Sequence, residues 1–360
     1  MTDDLHSLSE KKGTSSVTDI EQYNVCPYRY FMDKTLKLHD DKAYAVENYD
    51  MGNMVHEVFE KLFKKIDVLD KNKEFIRREI DETVDGVYKT YGAFNEFNMK
   101  EKKFFGANKL EYIKTRLRSI VYKSVDIMMS IKESSKSILD GTEVSFEYKM
   151  PREDAKDFAV KGKIDRIDIY EDGEDSYVSV VDYKSGFREK EVDKKNIENG
   201  TNIQLILYID YCINKKYLKD DKKPHFVGTY YFWVEDAFIR NDKMLEENAF
   251  DRVVRKQKGL GGLSTDDEKV LHMVYNDIKM ELKDKGGIKG VEFNNGYKLA
   301  DKYVSEGELD DMIKSMRDAV YTTLDKMNEG AIDREPVTDS RCGYCAYSSI
   351  CHREQIIENE

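Results

Sequence analysis

The strongest constraint on the fold is a predicted β-hairpin over residues 162–186, with the sequence GKIDRIDIYEDGEDSYVSVVDYKSG. Two β-prone runs flank the polar segment EDGED at residues 171–175, and this arrangement is typical of a hairpin. If the hairpin is symmetric about its turn, Asp165 lies directly opposite Asp182. Cross-strand partners have Cβ atoms about 4.5–5.5 Å apart, so two like charges at this position destabilise a sheet. The pairing therefore predicts that the two acids have a functional purpose.

A bound divalent cation would remove this repulsion. Asp182 and Lys184 are two residues apart on one strand and share a face, so two carboxylates and an ammonium group converge. Mg²⁺ is a hard ion that binds carboxylate oxygens. The alternative is a pair of solvated acids at the strand ends, because a shift of one residue in register would separate them. The hairpin alone leaves both interpretations open.

The remaining pattern predicts an α/β fold. Thr18 and Glu21 have the spacing of a capping box, which would open a first helix. Apolar residues then recur at helical spacing from Met51 to about residue 137, and strands are expected from about Thr142 onward. Residues 201–213 indicate a helix packed on the sheet between two strands. The order indicates a small mixed sheet with a crossover helix and a large helical insertion.

We expect one folded domain with a tail at each end. The segment after the last core strand is charged and punctuated by glycine, which favours helices and loops over about residues 239–289. The expected boundaries are a disordered tail at 1–15, a domain at 16–353 containing a helical insertion at 64–137, a core at 142–235 and a C-terminal helical part at 236–353, and a tail at 354–360.

Composition disfavours several classes of protein. No apolar run reaches the ~18 residues of a membrane span, and the polar start is unlike a signal peptide, so a cytoplasmic location without a membrane is expected. The sequence contains no GxxxxGK[ST] or GxGxxG motif, so neither a nucleotide motor nor a dinucleotide enzyme is supported. The net charge of −12 argues against a free-standing nucleic-acid binder.

Basic charge is nevertheless concentrated in residues 100–123, where aromatic residues are interleaved. Such a stripe is suited to a phosphate backbone and to stacked bases. A solvated helix face with its aromatic residues turned to the core is an equal alternative. The candidate DNA-binding residues are Lys102, Lys103, Arg116, Arg118 and Arg188.

Four of the five cysteines suggest a metal site. Cys342, Cys345 and Cys351 form a compact CxxCx₅C motif, and Cys26 lies near the start of the chain. Four thiolates suit an iron–sulfur cluster or a structural zinc, and either would join the two ends of the domain. A disulfide framework is not expected in a reducing compartment. Cys212 lies in an apolar helix and is expected to act as a small hydrophobic residue.

Three other polar residues are unremarkable by themselves. His56 lies at the edge of the apolar face of a predicted helix, where a packed or capping histidine is more common than a metal ligand. Gln204 and Tyr208 are four residues apart, so they share one face of the predicted crossover helix.

Taken together, the motifs resemble the RecB-like branch of the PD-(D/E)XK nucleases. GNMVH, GxIDRID, VVDYKSG and QLxLY occur in the order found in that family. CPYRYF and CxxCx₅C are similar to the iron–sulfur nuclease domains of AddB-type subunits in AddAB helicase–nucleases. The resemblance runs from about Ser16 to Arg353. It departs from the family in the insertion at 64–137, which carries no diagnostic motif, and in the long helicase-like N-terminal part, which has no counterpart in these 360 residues.

The resemblance implies a metal-dependent nuclease that cuts single-stranded DNA during the processing of broken ends, together with a helicase partner of the AddA type. It implies that His56, Asp165 and Asp182 bind Mg²⁺ or Mn²⁺ with the backbone carbonyl of Tyr183. A nitrogen ligand would favour Mn²⁺ somewhat. Lys184 would position the attacking water and offset negative charge in the transition state.

The family also implies roles for residues outside the hairpin. Gln204 and Tyr208 would orient the lysine or the DNA. Glu143 or Glu147 would add a carboxylate behind the ligands, and the sequence leaves that choice open. A structural [4Fe–4S] cluster would be bound by Cys26, Cys342, Cys345 and Cys351.

Three other functions compete with this interpretation. The intact acids and lysine argue against a non-catalytic lobe that binds DNA ends. The long part of the chain after about residue 227 argues against a stand-alone RecB-like iron–sulfur exonuclease, such as those of CRISPR spacer acquisition. A zinc-stapled interaction module would leave the opposed acids unexplained.

Overall fold

A computed structural model describes most of the chain. No helix within the described part is long and apolar enough to cross a membrane. The described ranges are 14–38, 48–65, 72–99, 107–150, 159–185, 192–218, 221–234, 259–284 and 286–353.

The centre of the fold is a mixed sheet of seven strands. The strand order is β1-β3-β4-β5-β6-β9, with β2 also paired to β3, while β7 and β8 form a separate two-stranded sheet. β2–β3–β4 and β5–β6 are antiparallel, whereas β4–β5 is parallel and needs a crossover. The strands are β1 (Thr14–Ser16), β2 (Ile138–Lys149), β3 (Ala159–Asp172), β4 (Asp175–Lys184), β5 (Lys223–Trp233), β6 (Gly261–Thr265), β7 (Ile278–Leu282), β8 (Ile288–Phe293) and β9 (Lys302–Val304).

Helices cover both faces of this sheet. Two π-helical turns, Phe31–Thr35 and Cys212–Lys216, extend the second and seventh helices, and a 3₁₀ turn spans Asp339–Tyr344. The helices are α1 (Val17–Val25), α2 (Pro27–Tyr30), α3 (Asn48–Phe63), α4 (Lys73–Met99), α5 (Ala107–Lys132), α6 (Lys194–Glu198), α7 (Gln204–Tyr211), α8 (Glu268–Val274), α9 (Glu306–Asn328) and α10 (Ser348–Cys351).

Two apolar layers flank the sheet because β4 alternates its side chains between them. Val181 packs into the layer formed with α3, α4 and α5, and Val180 packs into the layer formed with α7 and α9. Fully buried side chains such as Phe59 and Ile206 each contribute roughly 1.5–3 kcal/mol through the hydrophobic effect. The covered faces leave the strand ends as the place where polar side chains converge.

The predicted fold class is confirmed, with changes at several boundaries. β2 begins at Ile138 instead of Thr142, and Thr14–Ser16 already forms a strand, so the described fold begins before residue 16. The expected helical insertion contains two long helices, α4 (Lys73–Met99) and α5 (Ala107–Lys132). The C-terminal part was expected to consist of helices and loops. That expectation is incomplete, because β6 and β9 from this part join the central sheet.

The start of α1 also differs from its sequence signature. Ser16 is the N-cap residue, and its side chain accepts a hydrogen bond of 3.0 Å from the Asp19 backbone N–H. The expected capping box at Thr18 and Glu21 is therefore wrong, and the Glu21 side chain contacts another helix instead.

Candidate active site

The hairpin that carries the two acids has the predicted register. Arg166 pairs with Val181, so the next pair toward the strand ends is Asp165 with Asp182. Asp165 is 7% exposed and Asp182 is 2% exposed, which excludes the alternative of solvated acids. Asp165 Oδ2 accepts a hydrogen bond of 2.6 Å from the Tyr183 backbone N–H. Burial and the charge of Asp182 raise the pKa of Asp165 to about 6, so the expected repulsion is present.

A histidine and a third acid join Asp165. His56, on α3, places Nδ1 3.3 Å from Asp165 Oδ1 and 3.5 Å from Glu143 Oε1. One possible ligand atom from each of the three lies within 4.8 Å of the other two. Burial lowers the pKa of His56, but the hydrogen bonds and charges of Asp165 and Glu143 outweigh it and raise the pKa to about 10. Carboxylate oxygens and one imidazole nitrogen at this spacing fit Mg²⁺ or Mn²⁺.

Glu143 reaches this group from an irregular stretch of β2. Its φ is 51°, in the left-handed region that non-glycine residues rarely adopt. Glu147, the other carboxylate that the sequence left open, is exposed farther along the strand. Glu143 Oε2 lies 2.6 Å from Lys163 Nζ. Burial raises the pKa of Glu143, but hydrogen bonds from His56 and Lys163 outweigh it and lower the pKa.

Lys184 lies in a chain of polar contacts that the sequence predicted in part. Its Nζ lies 2.5 Å from Asp182 Oδ2 and donates a hydrogen bond of 2.8 Å to Gln204 Oε1. Gln204 Nε2 donates in turn to the Tyr208 hydroxyl at 2.8 Å. The ammonium group also lies 5.5 Å from the centre of the Tyr231 ring, a cation–π distance. These contacts hold the lysine in one position beside Asp182.

The ring of Tyr183 connects α3 to the hairpin. Its centroid lies 5.8 Å from that of His56 and 4.8 Å from that of Phe59, both with edge-on geometry. Since Asp165 accepts the Tyr183 N–H, one residue fixes both the acid and the histidine. The metal-binding role expected for the Tyr183 carbonyl remains a prediction, as does the same role for Asp182.

Of the candidate DNA-binding residues, Arg118 has a structural explanation. Its guanidinium lies 2.8 Å from Asp81 and 2.7 Å from Asp85, so it joins α4 to α5. Arg116 is exposed on α5. Lys102, Lys103 and Arg188 lie outside the described residues.

All four cysteines of the predicted metal site line one pocket, namely Cys26, Cys342, Cys345 and Cys351. Within the described part of the chain, no three of these thiols lie within 4.8 Å of one another. Zn–S bonds of ~2.3 Å in a tetrahedron require sulfur atoms about 3.8 Å apart, so this spacing is wide for one zinc ion.

Backbone hydrogen bonds bring the two ends of the domain together at this pocket. Tyr28 N–H donates to the Asp333 carbonyl at 3.2 Å, and Val337 N–H donates to the Val25 carbonyl at 3.0 Å. Cys212 is fully buried in the apolar layer around α7, as predicted.

Comparison with known proteins agrees with this geometry. A sequence profile of the PD-(D/E)XK nuclease superfamily matches residues 14–352. The chain belongs to the PD-(D/E)XK nuclease superfamily. In this member of the superfamily, the two hairpin acids and the lysine lie on β3 and β4.

Curated relatives of this chain carry the name of an ATP-dependent helicase/deoxyribonuclease subunit, AddB. The protein of Thermoanaerobacter sp. (strain X514) is 26% identical over 95% of this chain and 30% of its own length. That of Clostridium perfringens (strain 13 / Type A) is 26% identical over 99% of the chain and 31% of its own length. That of Staphylococcus aureus (strain JH9) is 24% identical over 98% and 32%. The chain thus spans about a third of these relatives.

Three residues that contact this candidate site were missed in the sequence. Lys163 precedes Asp165 by two positions on β3, so strand alternation alone would have placed both on one face. Tyr231 is the Cα partner of Asp182 in the parallel pairing of β4 and β5, which requires knowledge of the sheet order. Glu21 contacts residues 182 positions away, a separation that leaves no local signal.

Proposed function

We propose that this chain is a metal-dependent deoxyribonuclease domain that hydrolyses phosphodiester bonds of single-stranded DNA, as an exonuclease. The observation that carries the proposal is the chain of contacts from Asp182 through Lys184 and Gln204 to Tyr208, which adjoins the His56–Glu143–Asp165 group. A buried carboxylate is ordinarily paired with a cation, so the Asp182–Lys184 pair alone would suit a structural role. The Asp165 and Glu143 carboxylates gathered beside it exceed what that role requires.

The proposed chemistry divides between the two halves of the site. A bound Mg²⁺ or Mn²⁺ would acidify water and polarise a phosphoryl oxygen, and His56, Asp165 and Asp182 would hold it with the Tyr183 carbonyl. The Lys184 ammonium would orient the attacking water and offset charge that develops on the phosphate. Gln204 and Tyr208 would keep the ammonium at that place.

We propose that the four cysteines bind a structural [4Fe–4S] cluster. Their thiols line one pocket, and the CPYRYF and CxxCx₅C segments that carry them resemble those of iron–sulfur nuclease domains. Bound there, the cluster would fasten α2 to the segment from residue 342 to 351 and close one domain over residues 16–353.

The helicase association is supported by the names of the relatives and by the length of the C-terminal part. Relatives named as helicase/deoxyribonuclease subunits match almost the entire chain. We propose that the domain acts in the cytoplasm on DNA ends unwound with an AddA-type partner. A stand-alone exonuclease and a non-catalytic DNA-end-binding lobe are the competing functions.

The experiment that tests the proposal is cleavage of end-labelled single-stranded DNA with titrated Mg²⁺ or Mn²⁺, with chelator as the control. Metal-dependent cleavage by the chain alone supports a nuclease, and stimulation by an AddA-type partner separates a helicase-associated enzyme from a stand-alone one. Tight binding without cleavage, with and without that partner, favours the binding lobe. Equal rates in the two metals would contradict the expected preference for Mn²⁺.

Metal binding is expected to release about one proton per ion at pH 7–8. His56 has a pKa raised to about 10, so at these pH values Nδ1 carries a proton that a cation must displace. Affinity should therefore rise with pH up to about 10. Calorimetry of Mn²⁺ binding in buffers of different ionisation enthalpy measures the released proton.

The matched control for this prediction is His225→Ala, because His225 pairs with Asp175 at the far end of the hairpin. His56→Ala should bind Mn²⁺ without the buffer dependence, whereas His225→Ala should behave as the parent. Parent binding that takes place with no proton release would contradict a role for His56 as a ligand.

A further inference from the structure

Glu21 caps a helix to which it does not belong. Its Oε1 accepts hydrogen bonds of 2.9 Å from the Ile203 N–H and 3.1 Å from the Gln204 N–H. These are the amide groups at the start of α7, which have no partner within the helix. The N-cap residue Ile203 offers no side-chain acceptor. The carboxylate on α1 therefore satisfies the amide groups and interacts favourably with the helix dipole.

Hydrogen bonds of Asn24 also hold α1 against the turn before α7. Asn24 Nδ2 donates a hydrogen bond of 3.1 Å to the Gly200 carbonyl, and Asn24 Oδ1 accepts one of 2.9 Å from Thr323. Gly200 has a φ of 66°, and a Cβ there would lie 2.3 Å from Asn24 Nδ2. Because glycine permits both this conformation and this close approach, α1 docks in one register against the start of α7.

The residue that Glu21 holds is the one that contacts the lysine. Gln204 is the first residue of α7, and its Oε1 accepts the 2.8 Å hydrogen bond from Lys184 Nζ. A displaced N-terminus of α7 would carry the Gln204 side chain with it. Cys26 is the C-cap residue of α1, four residues after Gln22, so the same helix ends at the cysteine pocket.

We infer that Glu21 is a positioning residue: it fixes Gln204 and thereby Lys184, and it makes the position of the lysine depend on the N-terminal segment that carries Cys26. This inference rests on the proposed nuclease function, because it assigns Glu21 to that site. It differs from a general stabilising role, since the effect must pass through Gln204.

The first test compares Glu21→Ala, Glu21→Gln and Gln22→Ala in single-stranded DNA cleavage. Glu21→Ala should lower kcat by about tenfold with little change in KM, because it alters the position of the lysine and not the binding of DNA. Glu21→Gln retains an acceptor oxygen and should stay within about threefold of the parent. Gln22 is exposed on the same helix, so Gln22→Ala controls for helix propensity.

A double-mutant cycle separates positioning from stability. If Glu21 acts through Gln204, then Glu21→Ala combined with Gln204→Ala should have the kcat of Gln204→Ala alone. If the kcat losses of the two single variants multiply in the double variant, the two residues act independently and the inference is overturned. A Glu21→Gln variant as slow as Glu21→Ala would also overturn it.

Amide hydrogen exchange gives a readout that needs no activity. Protection of the Ile203 and Gln204 amides should fall by about tenfold in Glu21→Ala and stay at the parental value in Gln22→Ala. Unchanged protection in Glu21→Ala overturns the inference. A parent that cleaves no DNA, with and without an AddA-type partner, overturns the proposed function. Hydrogen exchange then tests separately whether Glu21 positions the start of α7.

Discussion

Replacing Asp182 with asparagine is expected to lower cleavage of single-stranded DNA by ~10³-fold or more while the domain stays folded. Asp182 is almost fully buried, and its carboxylate lies 2.5 Å from the Lys184 ammonium. An amide of the same shape neither neutralises that ammonium nor attracts a divalent cation. End-labelled DNA, with the parent and the variant at equal concentration, gives the rates.

The fold should survive because two electrostatic effects oppose each other. Removing the charge leaves Lys184 without its carboxylate, but Gln204 and the Tyr231 ring remain in contact with it. It also removes the repulsion that helps raise the pKa of Asp165 to about 6. We therefore expect the free energy of unfolding to change by less than about 2 kcal/mol.

The pH dependence of that change follows from Asp165. The Asp165 carboxyl, with its pKa raised to about 6, destabilises the fold when it is ionised. The stability that Asp182→Asn gains by removing the repulsion is therefore fully present above pH 6 and disappears near pH 4. Denaturant unfolding of Asp182→Asn and the parent at pH 5 and pH 8 should therefore favour the variant more at pH 8. The opposite trend would contradict the like-charge account of the hairpin.

Asp175→Asn is the matched control for both measurements. Asp175 lies on the same strand, partly exposed at the other end of the hairpin, beside His225. This variant should cleave DNA as the parent does. Full activity in Asp182→Asn, or a variant that fails to fold, would refute the assignment of Asp182.

The parts of the site that the sequence predicted depend on local periodicity. The polar turn fixed the register of the hairpin, so the opposition of Asp165 and Asp182 followed from counting alone. Gln204 and Tyr208 hydrogen-bond each other because residues four apart share a helix face. Both signals are local in the sequence, so neither depends on how the elements pack together.

The parts that were missed or left open depend on backbone irregularity or on distant pairing. Glu143 has a positive φ, which no propensity predicts for glutamate, and so its side chain could not be assigned from strand alternation. Glu21 has the spacing of a capping box but caps α7 instead of its own helix. Tertiary contact overrides local propensity at such positions.

The second large effect is expected at the cysteine pocket, where α2 meets the C-terminal segment. Cys345→Ser is expected to remove the iron of the proposed cluster and to lower Tm by ~10 °C, from a loss on the order of 4 kcal/mol at ~2–4 °C per kcal/mol. Cys345 is one of the four thiols in the pocket between α2 and the C-terminal segment. Binding energy at such a site counts as folding energy, because the unfolded chain does not assemble the ligands.

This prediction is tested under anaerobic conditions by two measurements. One is the content of iron, sulfide and zinc, and the other is the Tm of thermal unfolding. The matched control is Cys212→Ala, since Cys212 is fully buried in the apolar layer away from that pocket. It should keep its iron and lose only the ~1 kcal/mol of a small cavity. Zinc instead of iron in the parent would refute the iron–sulfur cluster. It would still leave a metal site that joins α2 to the C-terminal segment. A Cys345→Ser variant with parental Tm would refute a stabilising metal site in this pocket. Protein contacts such as the Tyr28 and Val337 hydrogen bonds, and that of the Tyr23 hydroxyl with the Ala331 carbonyl, would then suffice to join the ends of the domain.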